Sequence, residues 1–276
     1  MTITAADVAH WQSWVGRTET CEERCDVGSL RRFAAALGES LDVEQVQPSL
    51  AHWAFFLPVA PADAIGIDGH AKRGGFLPPV TLPRRMFVGS EISFVEPLAL
   101  DEVARRVSTI AAVTHKTGKS GELVLLEIVH EIEQLAKVCV REQQTLVYRE
   151  EGAPTSAVVP LTAPQPGAPG DTMWQPGPVE LFRFSAATFN SHRIHYDHLY
   201  ATGVEGYPGL VVHGPFTAAR LYRHAARDRR PARFGCRAIA PLFADQPIRI
   251  TENATNGEVV AIRCDGAAAM RATVSF

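Results

Sequence analysis

The chain has 276 residues, 46% hydrophobic and 21% charged, enough to bury a full core without disulfide staples. Its 27 Lys+Arg against 30 Asp+Glu give a net charge of -3, which excludes the basic field that a nucleic-acid partner needs. No apolar run approaches membrane-spanning length, and no basic-then-apolar start marks a secretory signal. A cytoplasmic protein acting on something small is expected, with neither nucleic acid nor membrane as a partner. The cysteines (Cys21, Cys25, Cys139, Cys236, Cys264) are odd in number and scattered, which argues for reduced thiols. Cys21 and Cys25 lack further ligands at a zinc-finger spacing, so no metal is expected there.

Taken in chain order, Ser29 is expected to cap a helix on which Leu30, Phe33, Ala34 and Leu37 share a face, with Gly38 ending it. Val103–Thr114 and Leu123–Tyr148 read as strands, parted by the turn Thr117-Gly118-Lys119-Ser120-Gly121. Residues 151–178 hold a dense set of prolines and glycines and no apolar period, which predicts extended chain. The division expected is therefore 1–150, a linker over 151–178, and 179–276. Past the linker, Leu210–Tyr222 is a helix candidate, and Arg227-Asp228-Arg229-Arg230 reads as a solvated turn. Ile248–Asn253, Val259–Cys264 and Met270–Phe276 are strand candidates. Asn256-Gly257 and Asp265-Gly266 separate them, supplying positive φ for tight hairpins.

The two long segments resemble each other. Pro97-Leu98-Ala99-Leu100-Asp101-Glu102 recurs as Pro241-Leu242-Phe243-Ala244-Asp245-Gln246. Gly121-Glu122-Leu123-Val124 recurs as Gly257-Glu258-Val259-Val260, Phe33–Ala36 as Phe184–Ala187, and His52–Phe55 as His213–Phe216. Matches in the same order suggest a duplicated unit. Each unit would wrap an antiparallel sheet around a central helix. The fold class expected is α+β, a double hotdog.

The densest polar cluster is Phe189-Asn190-Ser191-His192-Arg193-Ile194-His195-Tyr196-Asp197-His198. Histidine titrates nearest neutrality and is the natural proton carrier. Downstream, Pro208-Gly209-Leu210-Val211-Val212-His213-Gly214-Pro215 places a glycine where a helix begins, so that a carbonyl can approach a backbone N–H. His192, His195 and His198 stand at spacings of three, but no thiol or carboxylate completes a metal set, and no cofactor motif is seen. His52 and His70 read as structural histidines, and His213 likewise.

These stretches resemble the MaoC-like acyl-CoA hydratase/dehydratase family. Its hallmark is Asp-x-Asn-Pro-x-His, then a His-Gly pair opening the hotdog helix. Here Asn190 stands at the Asp position, His192 at the Asn, Arg193 at the Pro and His195 at the His, while His213-Gly214 matches the pair. The string Phe-Asn-Ser-His-Arg-Ile-His-Tyr-Asp looks like the subgroup of mesaconyl-C4-CoA/itaconyl-CoA hydratases. Asp68–Pro79 with Leu82–Met86 supports that subgroup. The resemblance implies an acyl-CoA substrate, no cofactor, His195 as acid/base, Asn190 holding a water and Gly214 polarising the thioester oxygen. Asp197 or His192 would assist, and Tyr196 lies in the same string. Lys72, Arg73, Arg84 and Arg85 could hold a substrate carboxylate or the phosphates of CoA. Aligning Phe33 with Phe184 puts Glu39 opposite Asn190, Glu44 opposite His195 and Trp53 opposite Gly214, so a single working site is expected, in the later repeat. A thioesterase and a non-catalytic acyl-CoA-binding module are the competing readings. Monomer and homodimer are both open.

Overall fold

A computed structural model describes residues 3–118, 121–152, 155–161, 167–227, 229–253 and 255–276. Lys119 and Ser120 of the anticipated turn, Asp228, and residues 153, 154 and 162–166 of the proline-rich segment lie outside the described residues. Helix α1 (Ala5–Gln12) opens on a capping box between Thr4 and Asp7. Strand β1 (Thr18–Arg24) leads into α2 (Val27–Leu37), whose Leu30, Phe33, Ala34 and Leu37 are all buried. The cap of α2 is Asp26 rather than Ser29: its Oδ1 accepts the Ser29 N–H at 2.8 Å. Gly38 ends the helix in the left-handed region, φ 66.

Strands β2 (Arg84–Phe94), β3 (Val103–Gly118), β4 (Gly121–Gln134) and β5 (Lys137–Arg149) follow. The run Leu123–Tyr148 is thus two strands. It reverses at Leu135-Ala136, with φ of 52 and 60, closing a hairpin on the pair Gln134↔Lys137. Strand β6 (Thr172–Trp174), α3 (Pro178–Ala187), α4 (His198–Gly203) and α5 (Gly214–Ala226) come next. Helix α5 starts later than Leu210 because Val211 bridges Phe243 and the Val212 N–H donates to the Leu242 carbonyl, which holds both residues extended. Strands β7 (Arg233–Ala238), β8 (Ile248–Glu252), β9 (Val259–Ile262) and β10 (Ala268–Ser275) complete the sheet. Gly257 and Gly266 have φ of 69 and 84 at the two tight turns.

All ten strands form one antiparallel sheet, β1-β3-β4-β5-β2-β7-β10-β9-β8-β6. The five strands before residue 150 and the five after residue 170 meet at the β2–β7 seam. Helix α5 fills the concave face of the later strands, burying Phe216, Thr217, Ala218, Ala219 and Leu221. The equivalent place in the first half holds only a 3-10 turn, Ala51–Ala54. The cores of the halves are continuous: Phe33 meets Phe184 at 6.1 Å, and Phe184 stacks on Phe216 at 4.7 Å.

Only Gly89–Ser93 of β2 pair with β7, so Arg84–Val88 leave an open strand edge beside the gap between the halves. A Cβ on Gly89 would overlap the Cys236 carbonyl oxygen across the seam. Gly89→Ala is therefore expected to cost about 3 kcal/mol or more in thermal or chemical unfolding, because the blocking atom is backbone. An unchanged Tm would show that the seam can slide apart freely.

Candidate active site

The turn after α3 is built to deliver a ring inward. Phe189 takes a left-handed φ of 48, and the Asn190 N–H donates to Ser185 O at 2.8 Å. Asn190 Oδ1 then accepts the His192 N–H at 3.0 Å, and a 3-10 turn over Arg193–His195 follows. His195 is buried, and its Nδ1 donates to Val211 O at 2.7 Å. A carbonyl can only accept, so Nδ1 carries the proton and Nε2 keeps its lone pair. The His213 ring stacks on His195 at 3.6 Å and is itself fixed by Ser185 Oγ at 2.8 Å. Burial pushes His195 down to about 4, against the Val211 bond, and pushes His213 well below its ordinary value. Both rings are neutral at neutral pH.

His195 lines a cavity of about 650 Å³ between the halves, together with Asn190, His192, Gly214 and Arg85. Gly214 is the first residue of α5, where backbone N–H groups have no intrahelical acceptor and the helix dipole is positive. A Cβ on Gly214 would lie 2.7 Å from the Phe87 ring, so β2 as well as any ligand demands the small residue.

The first half contributes more than a wall. Gly69, at φ 91, packs so tightly under Ser191 that a Cβ would overlap the Ser191 carbonyl oxygen. Ser191 Oγ donates to Gly69 O, and the Arg193 N–H donates to Asp68 O at 2.9 Å. This interlock brings His70 into the cavity. Its Nδ1 donates to Asp68 Oδ2 at 3.0 Å, and its ring lies 4.1 Å from that of His192, which meets His195 edge-on at 5.4 Å. Burial and the Arg85 charge depress His70 to about 4, against the pull of Asp68. Burial also takes His192 far below its ordinary value. Burial alone would raise the Asp68 carboxyl, but the ring and backbone N–H of His70 outweigh it and hold it low. His70 thus lines the cavity with a carboxylate partner, where the sequence showed it no partner. Asp68, His70 and His192 offer donor atoms within 4.8 Å of one another. The Asp68–His70 bond already engages two of them and is the arrangement that orients an imidazole. His198, exposed at the start of α4, joins no such set among the described residues.

Several expected residues do not line the cavity. Arg84 is buried with its Nε 3.2 Å from Glu205 Oε2 and its Nη2 on the Glu205 carbonyl. Neighbours on a strand point to opposite faces, which is why Arg85 reaches the cavity and Arg84 does not. Arg73 staples its own loop, donating to the carbonyls of Val80, Leu82 and Pro83. Lys72 Nζ donates to Asp63 O at 2.7 Å. Tyr196 is exposed, its hydroxyl on Ser191 O. Asp197 is held by Arg193 at 2.7 Å and caps α4. The cavity wall instead presents Arg149, Arg106 and His130 from the first half, none singled out by sequence. His52 and Trp53 both donate to Glu142 Oε2, at 3.2 and 3.0 Å. Glu39 and Glu44, opposite Asn190 and His195 in the repeat, are spent on the Ser49 N–H and on Arg31.

A double hotdog with a buried neutral histidine, one ring nitrogen bare, beside a helix N-terminus has the layout of an acyl-thioester hydro-lyase. The family model described as hydroxyacyl-thioester dehydratase type 2 matches residues 50–244, and the chain belongs to that family. It is 42% identical over 276 residues to the mesaconyl-C4-CoA hydratase of Chloroflexus aurantiacus, covering 97% of this chain and 98% of that protein. Among solved structures, HtdX of Mycobacterium tuberculosis superposes with a TM-score of 0.66 at 18% identity, over 94% of this chain and 99% of that one. A second Mycobacterium tuberculosis protein, described as a double hotdog, gives 0.57 at 11% identity over 94% and 95%. The chain is an enzyme, a hydro-lyase acting on acyl thioesters. Among the described residues no helix is long and apolar enough to cross a membrane.

In an NMR titration the His195 ring should take up its proton near pH 4, with Nδ1 protonated and Nε2 bare above that. A ring titrating near its ordinary value, about 6.5, would mean that it is not buried as described.

Proposed function

We propose that this protein hydrates a short dicarboxylic enoyl-CoA to citramalyl-CoA: mesaconyl-C4-CoA directly across its Cα=Cβ bond, or itaconyl-CoA, whose double bond runs from Cβ to the methylene, once that bond has shifted to Cα=Cβ. The observation that carries this reading is the His195 Nδ1–Val211 O bond, which leaves Nε2 as a base in the same cavity as the Gly214 N–H. The 42% identity to a mesaconyl-C4-CoA hydratase supports the choice of acyl group.

The thioester oxygen accepts the Gly214 N–H at the positive end of α5. The Asn190 amide orients a water; its Oδ1 is occupied by the His192 N–H, which leaves its NH₂ to do so. His195 Nε2 takes a proton from that water as the oxygen bonds to Cβ. The π electrons move to Cα, and the thioester oxygen carries the enolate charge. The imidazolium then returns its proton to Cα. One C–O and one C–H bond form, while the π bond and one water O–H break. Dehydration is the reverse. A ring held neutral by burial is ready to accept a proton at neutral pH without first losing one.

The free carboxylate of mesaconyl-C4-CoA is attached to Cβ, so its cation must stand at the reacting end. Arg85 lines the cavity and acts electrostatically on both His70 and His192, which makes it the partner. The cysteines are free thiols among the described residues, which fits a reducing compartment such as the cytoplasm. The free edges β1 and β6 leave room for a homodimer.

His195→Ala should lower mesaconyl-C4-CoA hydration by at least ~10²-fold, followed as loss of enoyl absorbance, with circular dichroism unchanged. Arg85→Gln should depress mesaconyl-C4-CoA far more than crotonyl-CoA. Near-normal turnover in the first variant contradicts the base assignment; equal loss on both substrates in the second contradicts carboxylate recognition.

A further inference from the structure

The cavity reaches well past the reacting end. Where α5 packs apolar side chains on the later strands, the inner face of the earlier strands carries polar groups beneath the Ala51–Ala54 turn and the residues just after it. Arg106 and Ser108 on β3, His130 on β4 and Glu142 on β5 lie on that face, with Ser90 of β2 beside them. Glu142 is fully engaged: Ser90 Oγ donates to its Oε1 at 2.5 Å, and His52 and Trp53 share its Oε2. Burial would raise this carboxyl, yet the His52 bond and charge bring it down to about 2. It therefore serves as a fixed anion within a closed network.

Arg106 is different. Its Nη1 donates to Phe56 O at 3.0 Å, and its guanidinium sits over the Phe56 ring at 5.3 Å. Among the described residues no carboxylate lies in ion-pair contact with it, and its buried Nε has no hydrogen-bond acceptor. Glu19, Glu23 and Glu142 act on it only through space. Beside it, His130 also lines the cavity, its Nδ1 hydrogen-bonded with Ser108 Oγ at 2.8 Å. An unpaired guanidinium on a cavity wall, out of bulk water, is a site for an anion. The path to it is apolar: Phe87 packs beside Gly214, and Trp53 meets Phe87 edge-on at 6.4 Å. Arg85 already serves the reacting end, so Arg106 calls for an anion carried farther along the acyl chain.

We infer that Arg106 and His130 form a second anion subsite that receives the terminal carboxylate of a longer acyl chain, extending the reaction to ω-carboxylated 2-enoyl thioesters. Methylene groups would lie along Phe87 and Trp53, and the carboxylate would pair with the guanidinium in a charge-assisted hydrogen bond. The inference rests on the hydratase reading for its chemistry, but not for its binding.

The test pairs oct-2-enedioyl-CoA with oct-2-enoyl-CoA, and hex-2-enedioyl-CoA with hex-2-enoyl-CoA. The wild-type enzyme should favour the carboxylated member of at least one pair by about tenfold or more in kcat/KM, the scale of a charge-assisted pair. Arg106→Gln should bring that ratio to about one, and Arg106→Lys should restore part of it. Calorimetric binding of saturated octanedioyl-CoA against octanoyl-CoA should show the same preference and the same loss, with no turnover required. No preference in the wild type, or a variant that weakens acidic and neutral members alike, overturns the subsite. If no enoyl-CoA is hydrated, the hydratase reading fails and calorimetry still decides the subsite.

Discussion

A single backbone carbonyl organises the site. Val211 O accepts from His195 Nδ1, and that bond decides which ring nitrogen is bare. The carbonyl is itself held, because Val211 bridges Phe243 and its N–H donates to Ile194 O. Three residues later the chain enters α5, so the segment that orients the proposed base also presents the Gly214 N–H. The proposed base and oxyanion donor are thus set by one short stretch of extended backbone, with the His213 ring stacked on His195. The departure from the family's aspartate fits this arrangement. Asn190 cannot titrate, and its carbonyl is committed to shaping the turn that carries His195.

The duplication gives the fold its economy and its asymmetry. Both halves contribute five strands to one sheet, but only the later half keeps a full central helix. In the first half the cavity wall carries Arg106, His130 and Glu142. The first half returns chemistry as well as space. Its Asp68-Gly69-His70 turn locks under Ser191, and Gly69 is needed because no side chain fits against that carbonyl.

Much of this was legible in the sequence. Asn256-Gly257 and Asp265-Gly266 are turn chemistry with one reading, and Leu30, Phe33, Ala34 and Leu37 have helical spacing whatever their surroundings. The pattern that singles out His195, Asn190, His192 and Gly214 is local, and the four residues line one cavity. The Leu135-Ala136 reversal was not legible, since neither residue favours positive φ. Ser29 and Asp26 are both good caps, and only geometry chooses between them. Four basic residues in one loop looked equivalent, yet strand alternation turned Arg84 inward to Glu205 and left Arg85 at the cavity. His70 lies far from His192 in sequence and meets it only through tertiary packing. Its sole local signal was the aspartate two residues before it.

The most direct test is a crystal structure with methylsuccinyl-CoA, a saturated analogue that cannot be hydrated. The account requires the thioester oxygen within hydrogen-bond distance of the Gly214 N–H and the β-carbon facing His195 Nε2. An acyl group bound with its oxygen away from Gly214, or with His195 Nε2 turned from the β-carbon, would contradict it.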